Sequence, residues 1–125
     1  MILGTLILWV GWMFFNGGSS LGLSDPADGW SKASLAMVNT IIAPSAAGIT
    51  TFFTRKYITG ENHEYRLDFN AIGNGLLAGA VSITAGCADV EPWAAFIIGL
   101  LGSFVYSFAC VIMRALEIDD PVEAT

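Results

Sequence analysis

The sequence predicts an all-α membrane protein: one domain, residues 1–125, built around four bilayer-crossing helices. Three observations carry this prediction. Hydrophobic residues make up 54% of the chain and charged residues 13%, about half the charged share of an ordinary soluble domain. The charges are also confined. No Asp, Glu, Lys or Arg occurs from Met1 to Ser24, Ala33 to Thr54, Phe69 to Ala88 or Pro92 to Met113. Each run reaches the roughly 20 residues that span about 30 Å of hydrocarbon. Finally, small residues recur at helical spacing in every run, as helices that pack against one another in lipid require.

The first helix is expected at about residues 2–21. It begins without the basic flank of a secretory signal and runs past the usual length of a signal's apolar core, through Trp9, Gly11, Trp12 and Asn16. These features describe a retained helix; a presequence removed upstream of Met1 is compatible with it. Gly4, Gly11 and Gly18 repeat every seven residues. A turn-rich connection, Ser24-Asp25-Pro26-Ala27-Asp28-Gly29, follows. The second helix is expected at 31–54, with Asn39, Ala43, Ala46, Ala47 and Thr50 for close contact. Pro44 interrupts it and removes the donor that the Thr40 carbonyl would otherwise meet, which predicts a kink.

Residues 55–68 form the longest polar stretch and hold Arg55, Lys56, Arg66 and the single histidine, His63. The third helix is expected at 69–87, with Gly75, Gly79, Ser82 and Gly86 on one face. Asp89-Val90-Glu91 makes a tight connection, and Pro92 is placed as an early residue of the fourth helix, 92–116. Gly99, Ser103 and Ser107 line that helix. Arg55, Lys56, Arg66 and Arg114 fall on one side of the bilayer and Lys32 on the other, so the 55–68 loop and both termini are expected on the cytoplasmic side.

The net charge of −6, with five scattered basic residues, excludes a nucleic-acid partner. Cys87 and Cys110 form no metal-ligand spacing and read as small buried residues. No nucleophile–base pair, phosphate loop or metal cluster is evident, so neither enzyme activity nor a cofactor is expected. Asp119-Asp120 reads as the cap that ends a helix rather than a metal site, and His63 as a solvated loop residue. Trp9, Trp30 and Trp93 read as interfacial or packing aromatics.

The polar and aromatic residues within the spans carry a family resemblance. The stretch from Gly4 to Ser19, with Leu8-Trp9-Val10-Gly11-Trp12 and Phe14-Phe15-Asn16, closely resembles the sixth transmembrane helix of the ammonium transporter family (Amt/Mep/Rh). Val38-Asn39-Thr40 looks like the start of its seventh helix. Asn74-Gly75-Leu76-Leu77-Ala78-Gly79 and Ile83-Thr84-Ala85-Gly86-Cys87-Ala88 resemble the eighth. Pro92-Trp93-Ala94-Ala95 with Ile98-Gly99 resembles the ninth, and Ile118-Asp119-Asp120-Pro121 the loop after it. The matches occur in the family's order across nearly the whole chain.

The resemblance implies about eleven spans for a complete pore, arranged as two inverted repeats, of which this chain supplies part of the second. It implies that Phe15 is one of a phenylalanine pair blocking the outer pore mouth, and that the Ser19 hydroxyl recruits ammonium outside that gate. It also makes Trp12 a pore-lining tryptophan and Thr84 a pore-side threonine. The residues themselves agree in part. Trp12, Phe15 and Ser19 stand at i, i+3 and i+7, one stripe of a helix. Aromatic faces beside a hydroxyl suit a small cation through cation–π attraction and hydrogen bonding. Against this, Ser19, Thr84, Asn39 and Asn74 are residue types that more often make helix–helix hydrogen bonds than ligand contacts, and Phe15 reads as a lipid- or core-facing aromatic.

The family's paired pore histidines and its other gate phenylalanine fall on helices outside these four, and His63 matches neither histidine. The expected function is therefore part of an ammonium or ammonia channel or transporter, conducting only with further helices from the same or another chain. The alternative is a transporter-derived structural subunit of a larger membrane complex, organellar for example, that transports nothing. The family's default is a plasma-membrane homotrimer. Pro44 and Asp89-Val90-Glu91 depart from the family's usual pattern.

Overall fold

The computed structural model describes residues 1–20, 29–58 and 69–118. The 24–28 turn, Arg66, His63, Asp119-Asp120-Pro121 and the side chain of Trp30 lie outside the described residues. Where charges are absent the chain is helical: α1 (Ile2–Ser19), α2 (Gly29–Ile58), α3 (Phe69–Thr84) and α4 (Pro92–Ala115). Among the described residues three segments are long and apolar enough to cross a bilayer: Ile2–Ser19, Ser31–Arg55 and Pro92–Ala115.

The third helix is shorter than the sequence predicts. Its 16 residues end at Thr84 instead of residue 87, a length of about 24 Å at about 1.5 Å per residue. Beyond Thr84 the chain tightens into turns, with the Gly86 amide donating to the Ile83 carbonyl at 3.1 Å. The amides of Asp89 and Val90 then converge on the Gly86 carbonyl at 3.0 and 3.1 Å. The second helix is longer than predicted. It takes in Lys32 and Arg55, because backbone hydrogen bonding continues where long basic side chains can carry their charge out to water.

Successive helices run in opposite directions, so α2 and α4 are parallel, as are α1 and α3. The Thr51–Ser103 and Thr54–Ser107 hydroxyl pairs, 2.9 and 3.2 Å apart, register the α2–α4 pair. Arg55 and Arg114 consequently share one end of the helix set, while Lys32, Asp89 and Glu91 share the other.

Helix α2 is the core. Ala36, Ala43 and Ala47 are fully buried, as are Asn39 and Thr40. Small residues from both later helices close on it. A Cβ added at Gly79 would lie 2.6 Å from the Ala47 Cβ and 2.7 Å from the Ala43 carbonyl oxygen. One added at Gly99 would run into the Ala43 carbonyl from the other side. Ala43 is thus held between α3 and α4 with no room for a methyl group on either. The heptad glycines of α1 behave differently: Gly4, Gly11 and Gly18 have nothing within 4 Å, and the glycine of α1 that packs is Gly17, against Met37.

Helix α4 starts at Pro92 as predicted, where the missing N–H needs no partner. It stops in a Schellman turn: the Ile118 amide reaches the Met113 carbonyl at 3.1 Å, and the Glu117 amide reaches Arg114 at 3.1 Å. Glu117 adopts φ 53° to do so.

Gly99→Ala should lower the thermal midpoint of the detergent-solubilised chain, because the clash is with backbone; overpacking of this kind costs about 1–3 kcal/mol. Gly11→Ala, in open space, should leave the midpoint unchanged or raise it slightly.

Candidate functional site

The polar groups that matter converge where α1 lies across α2 and α3. Pro44 has no amide hydrogen, so the Thr40 carbonyl lacks the i+4 donor of a regular helix. The indole Nε1 of Trp9 donates to that carbonyl at 2.8 Å. Two turns along α1, Asn16 Nδ2 donates to the Thr40 hydroxyl at 2.9 Å, and that hydroxyl donates to the Ala36 carbonyl at 2.6 Å. Between them Trp12 Nε1 donates to the Thr84 hydroxyl at 2.8 Å, which in turn donates to the Ala80 carbonyl at 2.6 Å. The three bonds fasten α1 to α2 at both ends of the stretch and to α3 in the middle. Each such bond between membrane helices contributes about 0.6–2 kcal/mol.

A second clamp closes the far side of α2. Asn39 is fully buried, and its Nδ2 donates to the carbonyls of Cys87 and Val90 at 2.9 and 2.7 Å. Both facing groups are acceptors, so only the NH2 of the amide can be turned toward them. The tight connection between α3 and α4 is therefore held by one side chain of α2. The Oδ1 atoms of Asn16 and Asn39 are buried with no partner among the described residues.

Of the four residues singled out by the sequence, Trp12 and Thr84 are brought into contact, both half-buried. Phe15, 59% exposed, and Ser19 are one turn apart on the open side of α1. The stripe of Trp12, Phe15 and Ser19 is thus divided, the indole turned into the helix set and the other two outward. The packing stripe of α1 is Thr5, Trp9, Trp12 and Asn16 at i, i+4, i+7 and i+11.

The joint use of Trp9, Asn16 and Thr40 was missed by sequence reasoning, although two signals were present. Trp9 and Asn16 are seven residues apart on one face, and Pro44 leaves Thr40 short of a donor. Trp93 is exposed and donates to the Glu91 carboxylate at 2.6 Å. Phe15, Ser19, Asp89 and Glu91 lie toward the same end, where the described residues place two carboxylates against Lys32. Among the described residues no cluster of His, Cys, Asp and Glu is suited to a metal ion.

The sequence model of the Ammonium Transporter Family matches residues 1–125. The chain is 38% identical to "Ammonium transporter 1 member 3" of Oryza sativa subsp. japonica, covering 100% of this chain and 26% of that protein. It is 39% identical to "Ammonium transporter 1 member 2" of Arabidopsis thaliana, covering 99% of this chain and 24% of the relative. Its fold superposes on the crystal structure of Saccharomyces cerevisiae Mep2 with a TM-score of 0.80 at 30% identity, over 98% of this chain and 26% of Mep2. The chain spans about a quarter of the length of these relatives.

Replacing Asn39 by Leu removes the donor that Asn39 offers to Cys87 and Val90 while keeping a side chain of similar branched shape. It should destabilise the chain by about 1–3 kcal/mol and speed hydrogen exchange at residues 85–90, measured by mass spectrometry, before exchange rises elsewhere.

Proposed function

The chain belongs to the ammonium transporter family, and we propose that its four helices form one wall of an ammonium or ammonia pathway through the membrane. It is an integral membrane protein. The pathway is complete only when further helices supply the paired pore histidines and the second gate phenylalanine. The observation that supports this reading is the bond between Trp12 and Thr84, since it joins two residues that the family resemblance assigns to the pore. The plasma membrane and the family's homotrimer are the proposed setting.

Recruitment starts at the end of the helix set that carries Asp89 and Glu91, where carboxylates raise the local concentration of cations. There the Ser19 hydroxyl accepts a hydrogen bond from ammonium and the ring face of Phe15 attracts it by cation–π interaction, while the Trp12 ring, turned inward, lines the passage beyond. Carrying the full charge onward into an apolar passage costs several kcal/mol. Ammonium gives up its proton to water at the outer mouth, which removes that cost, and neutral ammonia continues along the path that the completing helices line with histidines. In this scheme Phe15 controls entry, Ser19 captures the ion, and Thr84, oriented by Trp12, offers a hydroxyl on the pore side.

The test is ammonium uptake by proteoliposomes holding this chain alone, or with a companion chain that carries the remaining family helices. Uptake is expected only with both. In the complete assembly Thr84→Val should slow uptake about tenfold, the equivalent of about 1.4 kcal/mol in the barrier, and Phe15→Ala should change the rate. Uptake by this chain alone, or an assembly in which Phe15→Ala and Thr84→Val are both silent, would overturn the reading; the second result favours a purely structural subunit.

A further inference from the structure

We propose that Trp9 is a positioning residue whose indole N–H replaces the amide that Pro44 lacks, so fixing the rotation of α1 that turns Trp12 toward Thr84. The structural half stands on its own, and its consequence for ammonium rests on the transport reading above.

In an unbroken helix the carbonyl of Thr40 receives the amide of residue 44. Here residue 44 is proline, and both Thr40 and Pro44 are fully buried, so the oxygen is out of reach of bulk water. An acceptor stranded in that position is costly. Trp9 meets it at 2.8 Å from another helix. Asn16 reaches the hydroxyl of the same residue at 2.9 Å. Seven residues separate Trp9 from Asn16, which is two turns to within about 20°. Two bonds, two turns apart, that end on a single residue set both the height of α1 on α2 and its rotation about its own axis. Trp12 is displaced by about 60° from that line, and in the resulting orientation its indole falls 2.8 Å from the Thr84 hydroxyl on α3 instead of on α2.

The arrangement couples Trp9 to Pro44. A residue with an amide hydrogen at position 44 gives the Thr40 carbonyl its own donor and removes the need for the indole. The loss caused by Trp9→Phe should therefore be large when Pro44 is present and small when it is replaced. A tryptophan that merely filled space would show no such dependence.

The experiment uses the full chain in lipid nanodiscs with 15N-labelled tryptophan. The Trp12 indole N–H resonance is assigned by its loss in Trp12→Phe, and its unbonded position is taken from Thr84→Val. In Trp9→Phe the Trp12 resonance should move toward the unbonded position, and in Trp9→Phe/Pro44→Ala it should return toward the parent. A Trp12 resonance unmoved by Trp9→Phe, or no recovery in the double variant, overturns the proposal. Should Trp9→Phe fail to fold, Pro44→Ala alone decides: the Trp9 resonance must shift as the Thr40 carbonyl becomes shared, and an unshifted signal refutes the coupling. In proteoliposomes with the completing helices, Trp9→Phe should raise the half-saturating ammonium concentration about fivefold, the scale of one net hydrogen bond, at a nearly unchanged maximal rate. Pro44→Ala should restore it. A shifted resonance with unchanged half-saturation refutes the functional consequence. The stated resonance pattern with no ammonium flux in any variant sustains the rotational lock and defeats the transport reading instead.

Discussion

A backbone carbonyl held in hydrocarbon has to find its donor within the protein, and one such carbonyl organises this helix set. Pro44 frees the oxygen of Thr40 in the middle of α2, the helix around which the other three are arranged. Trp9 answers it, and with that bond the first helix acquires a fixed place. The neighbouring turn of α2 does comparable work on the other side, where Asn39 gathers the carbonyls of Cys87 and Val90. Much of what joins α1, the α3–α4 connection and α2 therefore passes through residues 39–44.

Close backbone approach makes that concentration feasible. Gly79 and Gly99 let α3 and α4 rest on Ala43, so that the side chains around Pro44 are sealed from solvent without bulky apolar residues. In lipid the hydrophobic effect does not draw one apolar helix to another, and shape together with hydrogen bonds has to do so. The hydroxyl pairs between α2 and α4 and the indole bonds of α1 are the directional part of this scheme. The glycines of α3 and α4 are the part that depends on shape.

The outward faces follow the same logic. Phe15 and Ser19 are on the open side of α1, and Phe104, Val105 and Phe108 line an open side of α4. These surfaces suit acyl chains or further helices. The proposed pathway requires that α1 meet further helices on the side carrying Phe15, while Trp12 remains anchored to Thr84. The indole is anchored by its hydrogen bond, while the neighbouring Phe15 ring is left exposed.

The sequence by itself determined that the chain is helical and apolar, where each helix lies to within a few residues, which family it resembles, and that the Thr40 carbonyl lacks a helical donor. These are local properties: runs without charge, residues at helical spacing, and a proline in mid-helix. The tertiary structure decided which donor reaches Thr40, that Gly17 packs while Gly4, Gly11 and Gly18 stay open, and that Trp12 turns inward while Phe15 and Ser19 turn out. It also decided that α3 stops at Thr84, where the turns that Asn39 grips take over. The physical reason is rotation. Helical spacing says which residues share a face, but the side toward which a face turns is set by partners 24 to 72 positions away in the chain.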